Sequence, residues 1–217
     1  MVGAVVIVED AGVVGGDAIE VRDDSVLDRR LDALCADGWE IWRRFDDTYR
    51  SRHFHPFVPA DYDVARDILS ALRVPGLRFL EWGSATGIIT IMADMMGFDA
   101  SGIEIDADLV ATARDVATRH HSAARFVVGS LLPTGYRFRA RDGGGDGRTG
   151  TIADGPSGYL ELGHSLEHFD IVFGYPWGGE ETVMLDVMQQ YGRPDALLLL
   201  YNSDNTVRSY RGGRLTR

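Results

Sequence analysis

The chain has 217 residues, of which 45% are hydrophobic and 25% charged, as expected for one soluble globular domain with a modest extension. Its net charge of −11, from 22 basic and 33 acidic residues, disfavours a protein that binds nucleic acid by neutralising phosphates. A single cysteine, Cys35, excludes an intramolecular disulfide framework. Residues 1–10 lack the basic start of a signal peptide. No run approaches the ~20 apolar residues that span a membrane, so we expect a cytoplasmic protein without a membrane partner.

The N-terminal part of the chain is predicted to form an arm and a helical cap over residues 1–58. β-Prone runs that flank glycine pairs within residues 3–22 fit either a small hairpin or a loosely held arm. Apolar residues then recur at spacings of three and four from Leu27 to Tyr49. This spacing predicts one amphipathic helix, or two helices that meet at Gly38.

A segment rich in aromatic residues and proline follows over residues 51–59. Its prolines exclude a regular helix, so we expect an extended linker that lies over the next domain. His53 and His55 alternate within it and would point the same way. Three interpretations remain open for this pair, namely surface or packed positions, a place in an active-site lid, and metal binding.

From Ala60 onwards the sequence alternates between helical and strand patterns, which predicts an α/β domain over residues 59–217. The run at 196–201 is rich in leucine and predicts a strand that is buried on both faces. The predicted helices are 61–72, 86–96, 107–120 and 180–191, and the predicted strands are 77–81, 100–105, 125–129, 169–174 and 196–201.

This rhythm is interrupted by a predicted β-hairpin insertion at about residues 133–165. Residues 136–141 alternate as a strand, residues 142–150 form a glycine-rich turn, and residues 151–162 return as a second strand. A mobile loop is the alternative. The tail, residues 202–217, is too short for a helix and two strands that would complete a seven-stranded sheet. We therefore expect an abbreviated sheet, or one whose edge strands come from the hairpins.

Two of the predicted strands end in an acidic residue. The first strand ends at Glu81 and is followed by a turn bracketed by Gly83 and Gly87, and the next strand reaches Glu104. In open α/β sheets, ligands bind outside the carboxyl ends of the strands, where glycines let a small molecule approach the backbone. The two acidic strand ends together predict a nucleoside pocket.

Residues 77–130 resemble the class I S-adenosylmethionine-dependent methyltransferases, and the likeness extends over about 60–205. The family's first motif is an acid and a glycine-bracketed turn after strand one, which here is Glu81-Trp82-Gly83-Ser84-Ala85-Thr86-Gly87, with Ala85 in place of the usual middle glycine. The resemblance implies a Rossmann-like doubly wound sheet, which the short tail would abbreviate at its C-terminus, and S-adenosylmethionine as the cofactor.

By this resemblance, Glu81 would orient the amino-acid end of the cofactor and Glu104 would take both ribose hydroxyls. A carboxylate favours sulfonium and ammonium groups, whereas it would repel a pyrophosphate. Ile105 would pack on the adenine, and Ser130 could meet the adenine amino group only through its hydroxyl or backbone. The cofactor-binding residues that the resemblance implies are Glu81, Gly83, Ser84, Ala85, Gly87, Glu104, Ile105, Ser130 and Leu131.

The acceptor half of the site is expected after strand four. There Gly174 replaces the Asp or Asn that amino-methylating members of the family carry, which argues against methylation of a nucleobase nitrogen. Tyr175 and Trp177 would either line the site of methyl transfer or pack beneath the N-terminal segment. His53, His55 and Tyr175 are the candidates for a general base, if one is needed.

We therefore predict a methyltransferase that acts on a small-molecule acceptor. The alternatives are a binding protein that keeps the nucleoside pocket but has lost turnover, and an N-methyltransferase for nucleobase or protein. A nicotinamide-dependent oxidoreductase is disfavoured, because its second and third motif glycines are replaced by Ala85 and Ile88. No metal site is predicted, since His164 and His168 lack a third ligand nearby. The acceptor and the oligomeric state are not predicted.

Overall fold

The computed structural model of the chain describes residues 24–50, 57–136, 155–177, 179–212 and 214–216. The predicted N-terminal hairpin or arm, the histidines His53 and His55, and most of the predicted insertion, residues 137–154, lie outside these ranges. Within the described ranges, no helix combines the length and the apolar character that crossing a membrane requires.

The α/β elements predicted between residues 61 and 201 are confirmed, with small shifts at their ends. Asp61 and Asp106 act as N-caps, because each side chain accepts hydrogen bonds from two backbone N–H groups of the helix that it precedes. The helices are α1 Asp24–Phe45, α2 Tyr62–Ala71, α3 Ile88–Met95, α4 Ala107–Arg119, α5 Gly158–Leu162 and α6 Glu180–Tyr191, with a π-helical turn at Asp46–Arg50 and a 3₁₀ turn at Leu166–His168. The strands are β1 Arg78–Trp82, β2 Asp99–Glu104, β3 Arg125–Val128, β4 Ile171–Gly174, β5 Leu197–Tyr201, β6 Val207–Arg211 and β7 Arg214–Leu215.

These strands form one seven-stranded sheet in the order β3-β2-β1-β4-β5-β6-β7. The first five strands are parallel, and β6 and β7 are antiparallel to their neighbours. The direction of winding reverses at β1, where Glu81 lies between Gly102 of β2 and Phe173 of β4. The predicted Rossmann-like, doubly wound α/β fold is thereby confirmed. Such a reversal opens a crevice at the carboxyl ends of the strands.

The tail of the chain corrects one expectation. It contains no helix between β5 and β6 and is abbreviated in that sense, but the sheet is not short of strands. A tight turn links β5 to β6, closed by a 2.8 Å hydrogen bond from the Asn202 N–H to the Thr206 carbonyl. Antiparallel neighbours can be joined by such a turn, whereas a parallel strand would need a long crossover. The tail alone therefore supplies both remaining strands.

The predicted return strand of the insertion is also wrong where it is described. Residues 158–162 form helix α5, which brings Tyr159 and Leu162 to one face, where both are buried against the sheet. Before the helix, Ser157 makes only a single bridge to Ser130 beyond the end of β3. The burial of two apolar side chains at helical spacing outweighs the weak alternation of the sequence here.

Helix α1 forms the predicted cap. It packs on α3, which lies in the helical layer on one face of the sheet. It is one continuous helix, so the alternative of two helices meeting at Gly38 is wrong. Gly38 is the point of closest approach, because a Cβ atom there would lie 2.8 Å from side-chain atoms of both Ile88 and Tyr62. Leu31 and Leu34 are fully buried beneath the helix. The apolar helix α3 is thus sandwiched between α1 and the sheet, as its sequence predicts.

Alternation along β1 decides which layer each of its side chains enters. Phe79 belongs to the core on the side of α1 to α4, whereas Leu80 and Trp82 belong to the core on the side of α5 and α6. Glu81 points to the same side as Phe79 and therefore meets helix α3.

Two glycines with nearly the same backbone geometry allow the packing of the glycine turn to be tested. Gly76 has a φ of +81° with nothing near its missing Cβ, and Gly87 has a φ of +79° with the Phe126 ring 2.6 Å from that position. We expect Gly76→Ala to lower the free energy of unfolding by about 1–2 kcal/mol, the usual cost of left-handed backbone for an L-residue. Gly87→Ala should lower it by a further ~1–3 kcal/mol, because the added methyl overpacks the core.

Urea denaturation of both variants and the parent chain measures these differences. Equal destabilisation by the two substitutions would contradict the close packing of Gly87 against Phe126.

Candidate functional site

A cleft that is open to solvent lies at the carboxyl ends of β1 and β4, where the winding of the sheet reverses. It is lined by Phe57, Val58, Pro59, Ala60 and Tyr62 before and within α2, by residues 81–86 of β1 and the glycine turn, by Ile88 and Ile89 of α3, and by Phe173 and Tyr175 at the end of β4.

The glycine turn that forms one wall of the cleft is fixed to the end of β2. The N–H groups of Gly83 and Ser84 both donate to the carbonyl of Ile103, at 2.9 and 3.1 Å. Ala85, which stands where the family has its middle glycine, has a φ of +45°. This conformation is costly for a residue with a side chain. A hydrogen bond of 2.9 Å from the Ala85 N–H to Glu104 Oε2 holds it in place.

The Glu104 carboxylate is buried and accepts three backbone hydrogen bonds. Oε2 accepts the N–H of Ala85, and Oε1 accepts those of Ile105 and Asp106 at 2.7 and 2.9 Å. Burial raises the pKa of this carboxyl, and the three N–H groups oppose the rise. Since each carboxylate oxygen can accept about two hydrogen bonds, one acceptor position remains on Oε2.

The second acidic residue, Glu81, is buried in the wall of the cleft. Its Oε2 accepts hydrogen bonds from the backbone N–H and the hydroxyl of Thr90, at 2.9 and 2.5 Å. Burial raises the pKa of Glu81 to about 8, and these two hydrogen bonds only partly offset it. The side chain is therefore largely protonated at neutral pH, and a cationic ligand would favour its ionised form.

The predicted adenine contacts lie beside a segment that the sequence did not indicate. Ile105 is half-buried, and Ser130 and Leu131 are buried. The Ser130 N–H donates to the Pro156 carbonyl and its carbonyl accepts the Gly158 N–H, each at 2.9 Å. The Ser130 N–H is thus used within the chain, whereas its hydroxyl, which accepts the N–H of Leu132 at 3.1 Å, could also meet a ligand.

Tyr175 and Trp177 are in different surroundings. Tyr175 lines the cleft, whereas Trp177 does not. The Trp177 N–H donates to Glu180 Oε2 at 2.9 Å, and the Glu180 N–H donates to the Trp177 carbonyl at 2.8 Å, so the two residues close the turn into α6. Burial raises the pKa of Tyr175, so its phenol is protonated at neutral pH and acts as a donor rather than a ready base.

The histidine pair predicted to lack a third ligand lies away from the cleft. The rings of His164 and His168 stack at 3.9 Å just before β4, and His168 contacts Arg78 at the start of β1. Both positions are at the opposite end of the strands from the cleft. In the described part of the chain, no three His, Cys, Asp or Glu side chains are grouped as a metal site would need. His55 lies outside the described residues.

Sequence reasoning missed Tyr201, which connects two walls of the cleft. Its hydroxyl accepts the N–H of Asp61 at 3.0 Å and donates to Asn205 Oδ1 at 2.6 Å. Its ring packs edge-on against Tyr175, with 4.8 Å between the ring centroids. Asp61 follows the lining residues at 57–60, so one side chain supports both walls. A lone tyrosine at the end of an apolar strand carries no signal for this role.

No protein-family model and no curated protein sequence matches the chain. Among solved structures, it is similar to an RNA methyltransferase from Salinibacter ruber in complex with S-adenosyl-L-homocysteine, at 20% identity and a TM-score of 0.47 over 66% of this chain and 76% of that one. A precorrin-6y C5,15-methyltransferase from Geobacter metallireducens is 16% identical, with a TM-score of 0.46 over 71% and 68%. A SAM-dependent methyltransferase from Thiobacillus denitrificans, also with S-adenosyl-L-homocysteine, is 18% identical, with a TM-score of 0.43 over 74% and 54%. At these TM-scores, any functional proposal has to rest on the geometry of the site.

The raised pKa of Glu81 makes stability depend on pH. The folded chain holds this proton up to about pH 8, whereas the group's ordinary pKa is 4.5. Between these values the folded state binds more protons than the unfolded state, so the free energy of unfolding falls as pH rises. We expect Glu81→Gln to remove this fall, which should be of the order of a few kcal/mol. His168, whose pKa is also shifted, is present in both proteins and cancels in the comparison, whereas the charge of Glu104 contributes to the raised pKa of Glu81 and so to the difference measured. Urea denaturation from pH 5 to pH 8 measures the difference, and parallel pH profiles would contradict it.

The link through the Tyr201 hydroxyl can be tested without disturbing the ring. Tyr201→Phe should lower the free energy of unfolding by about 0.5–2 kcal/mol, because the partly buried Asp61 N–H loses its acceptor. Amide hydrogen exchange should show faster exchange at Asp61 and unchanged exchange at Leu69, in the interior of α2. Equal protection of Asp61 in the parent chain and the variant would show that the link does not hold this wall.

Proposed function

We propose that the chain binds S-adenosylmethionine at the carboxyl edge of its sheet and catalyses methyl transfer to a small-molecule acceptor. The observation that carries this proposal is the pair of buried carboxyl groups, Glu81 and Glu104, on either side of a glycine turn at the ends of adjacent strands. When bound, the cofactor would supply a methyl group on a positively charged sulfur. Residues 59–217 would form the cofactor-binding domain, with residues 1–58 as its cap.

The surroundings of Glu104 suit a ribose. One acceptor position on Oε2 is available to a ligand hydroxyl, and a second hydroxyl would take the place of one backbone N–H group. Ile105 follows directly and is half-exposed, which suits contact with a flat base. The Ser130 hydroxyl is the group left to meet the polar edge of that base.

The surroundings of Glu81 suit the cationic end of the cofactor. Its carboxyl group lines the cleft, and an ammonium or sulfonium group would stabilise the ionised form that burial disfavours. A pyrophosphate would meet the carboxyl group of Glu81 and no cation from the described cleft lining. This arrangement supports S-adenosylmethionine over a dinucleotide and disfavours the oxidoreductase alternative.

The residue at the end of β4 and the net charge of the chain support a small acceptor. Gly174 offers no side chain to accept a hydrogen bond from a target amine, and the net charge of −11 disfavours a polyanionic substrate. The chain's own contribution would be to orient the two ligands and to exclude water from the cleft. The neutral phenol of Tyr175 keeps a second candidate open, a binding protein without turnover. Product formation from a panel of small acceptors would decide against that candidate.

Calorimetry with S-adenosylhomocysteine and adenosine separates the two carboxyl groups, because adenosine has the ribose but lacks the amino-acid end. We expect Glu104→Gln to weaken binding of both ligands at least about tenfold, since a charge-assisted bond to the ribose is lost. Glu81→Gln should weaken binding of S-adenosylhomocysteine and leave that of adenosine unchanged.

Thermal unfolding of each variant checks that it is folded. If folded parent protein bound neither S-adenosylhomocysteine nor S-adenosylmethionine, the proposed function would be wrong. If the two substitutions changed the affinity for adenosine equally, the ribose would not bind at Glu104.

A further inference from the structure

We propose that the acceptor is a neutral, planar aromatic molecule that packs against Phe57 and Tyr175 and accepts a hydrogen bond from the Tyr175 hydroxyl. This inference rests on the proposed function, because it names the class of molecule that the same cleft would take beside the cofactor. It rests on the aromatic residues that line the cleft, on the ring contacts that hold Phe57 and Tyr175 in position, and on the charges of the lining residues.

Phe57 is held in position by two further aromatic rings. The Trp42 ring meets it at 5.2 Å between centroids and 82° between planes, and the Phe45 ring meets it at 5.2 Å and 67°. Such edge-to-face contacts are favourable for aromatic pairs. Both supporting rings come from the end of α1, so the helical cap fixes this wall of the cleft. A wall that is already ordered loses little conformational entropy when a ligand packs on it.

Tyr175 is held by a separate set of contacts. Its ring packs edge-on against Tyr201, whose hydroxyl is anchored to the Asp61 N–H and to Asn205. The Tyr175 hydroxyl itself makes no hydrogen bond to any part of the chain that the structure describes. Because burial raises its pKa, it stays protonated at neutral pH and can donate to an oxygen of the ligand.

The charges around the cleft disfavour an ionised acceptor. Among the described lining residues, Glu81 is the only acid, and there is no arginine or histidine. An anionic acceptor would lose its hydration without meeting a cation, which is costly in a partly buried site. A cationic acceptor would compete with the cofactor for the carboxyl group of Glu81. A neutral ring avoids both costs.

Aromatic residues make up a large part of the cleft lining, and they favour a flat apolar ligand. Phe57, Tyr62, Trp82, Phe173 and Tyr175 are among the residues that line the cleft. The same cleft also has to hold the amino-acid end of the cofactor, so the acceptor shares this space with a second ligand.

Three probes of nearly the same shape test the charge preference: 2-naphthol, 2-naphthoate and 2-naphthylmethylamine, which are neutral, anionic and cationic at pH 7. Calorimetry of each probe, with the protein saturated in S-adenosylhomocysteine, measures binding without turnover. We expect 2-naphthol to bind at least about tenfold more tightly than either ion, since an unpaired charge in such a site costs more than ~1.4 kcal/mol. Equal or tighter binding of either ion would overturn the proposal. Failure of S-adenosylhomocysteine itself to bind would instead contradict the proposed function.

A matched pair of conservative variants tests the hydrogen bond. Tyr175→Phe keeps the ring and removes the hydroxyl, so it should weaken 2-naphthol by about two- to tenfold and leave naphthalene unchanged. Tyr191→Phe makes the same change on α6, outside the cleft, and should alter neither affinity. The affinity for S-adenosylhomocysteine should stay the same in both variants. An unchanged affinity of Tyr175→Phe for 2-naphthol would show that the hydroxyl does not contact the acceptor.

Discussion

The Glu104 carboxylate fixes the glycine turn to the end of β2, and the site depends on this connection. It accepts the N–H of Ala85, a residue with a side chain that is held in left-handed backbone where the family has glycine. The carbonyl of Ile103 accepts two more N–H groups from the same turn. The turn that follows β1 is thereby held against the end of β2. The same carboxylate is the group best suited to a ribose, so it combines a structural role with the proposed binding role.

The buried acidic side chain of Glu81, next to this turn, gives the free protein a site that suits a cation. Glu81 is held largely protonated by its surroundings, and a nearby positive charge would let it ionise. The opposite wall consists of aromatic rings supported by α1 on one side and by Tyr201 on the other. An acidic side chain and a set of aromatic residues therefore line one cleft, which is the arrangement that the proposed cofactor and acceptor would need.

Local sequence patterns predicted the elements that depend on local physics. Helical and strand periodicity located the α/β core, and the Asp61 and Asp106 side chains marked helix starts. The acid at the end of the first strand pointed to the edge of the sheet where Glu81 lines a cleft. Features that depend on distant contacts could not be predicted in this way. The β5–β6 hairpin depends on pairing across the sheet, and α5 on burial of Tyr159 against β2 and β3. Likewise, nothing local in the sequence places the Tyr201 hydroxyl beside Asp61, 140 residues away.

A crystal structure of the chain with bound S-adenosylhomocysteine tests the central claim most directly. The account predicts that a ribose hydroxyl lies within hydrogen-bond distance of Glu104 Oε2. It also predicts that the amino-acid end lies in the cleft beside Glu81 and that the sulfur faces the space bounded by Phe57 and Tyr175. A ligand bound elsewhere, or with its ribose away from Glu104, would contradict the account.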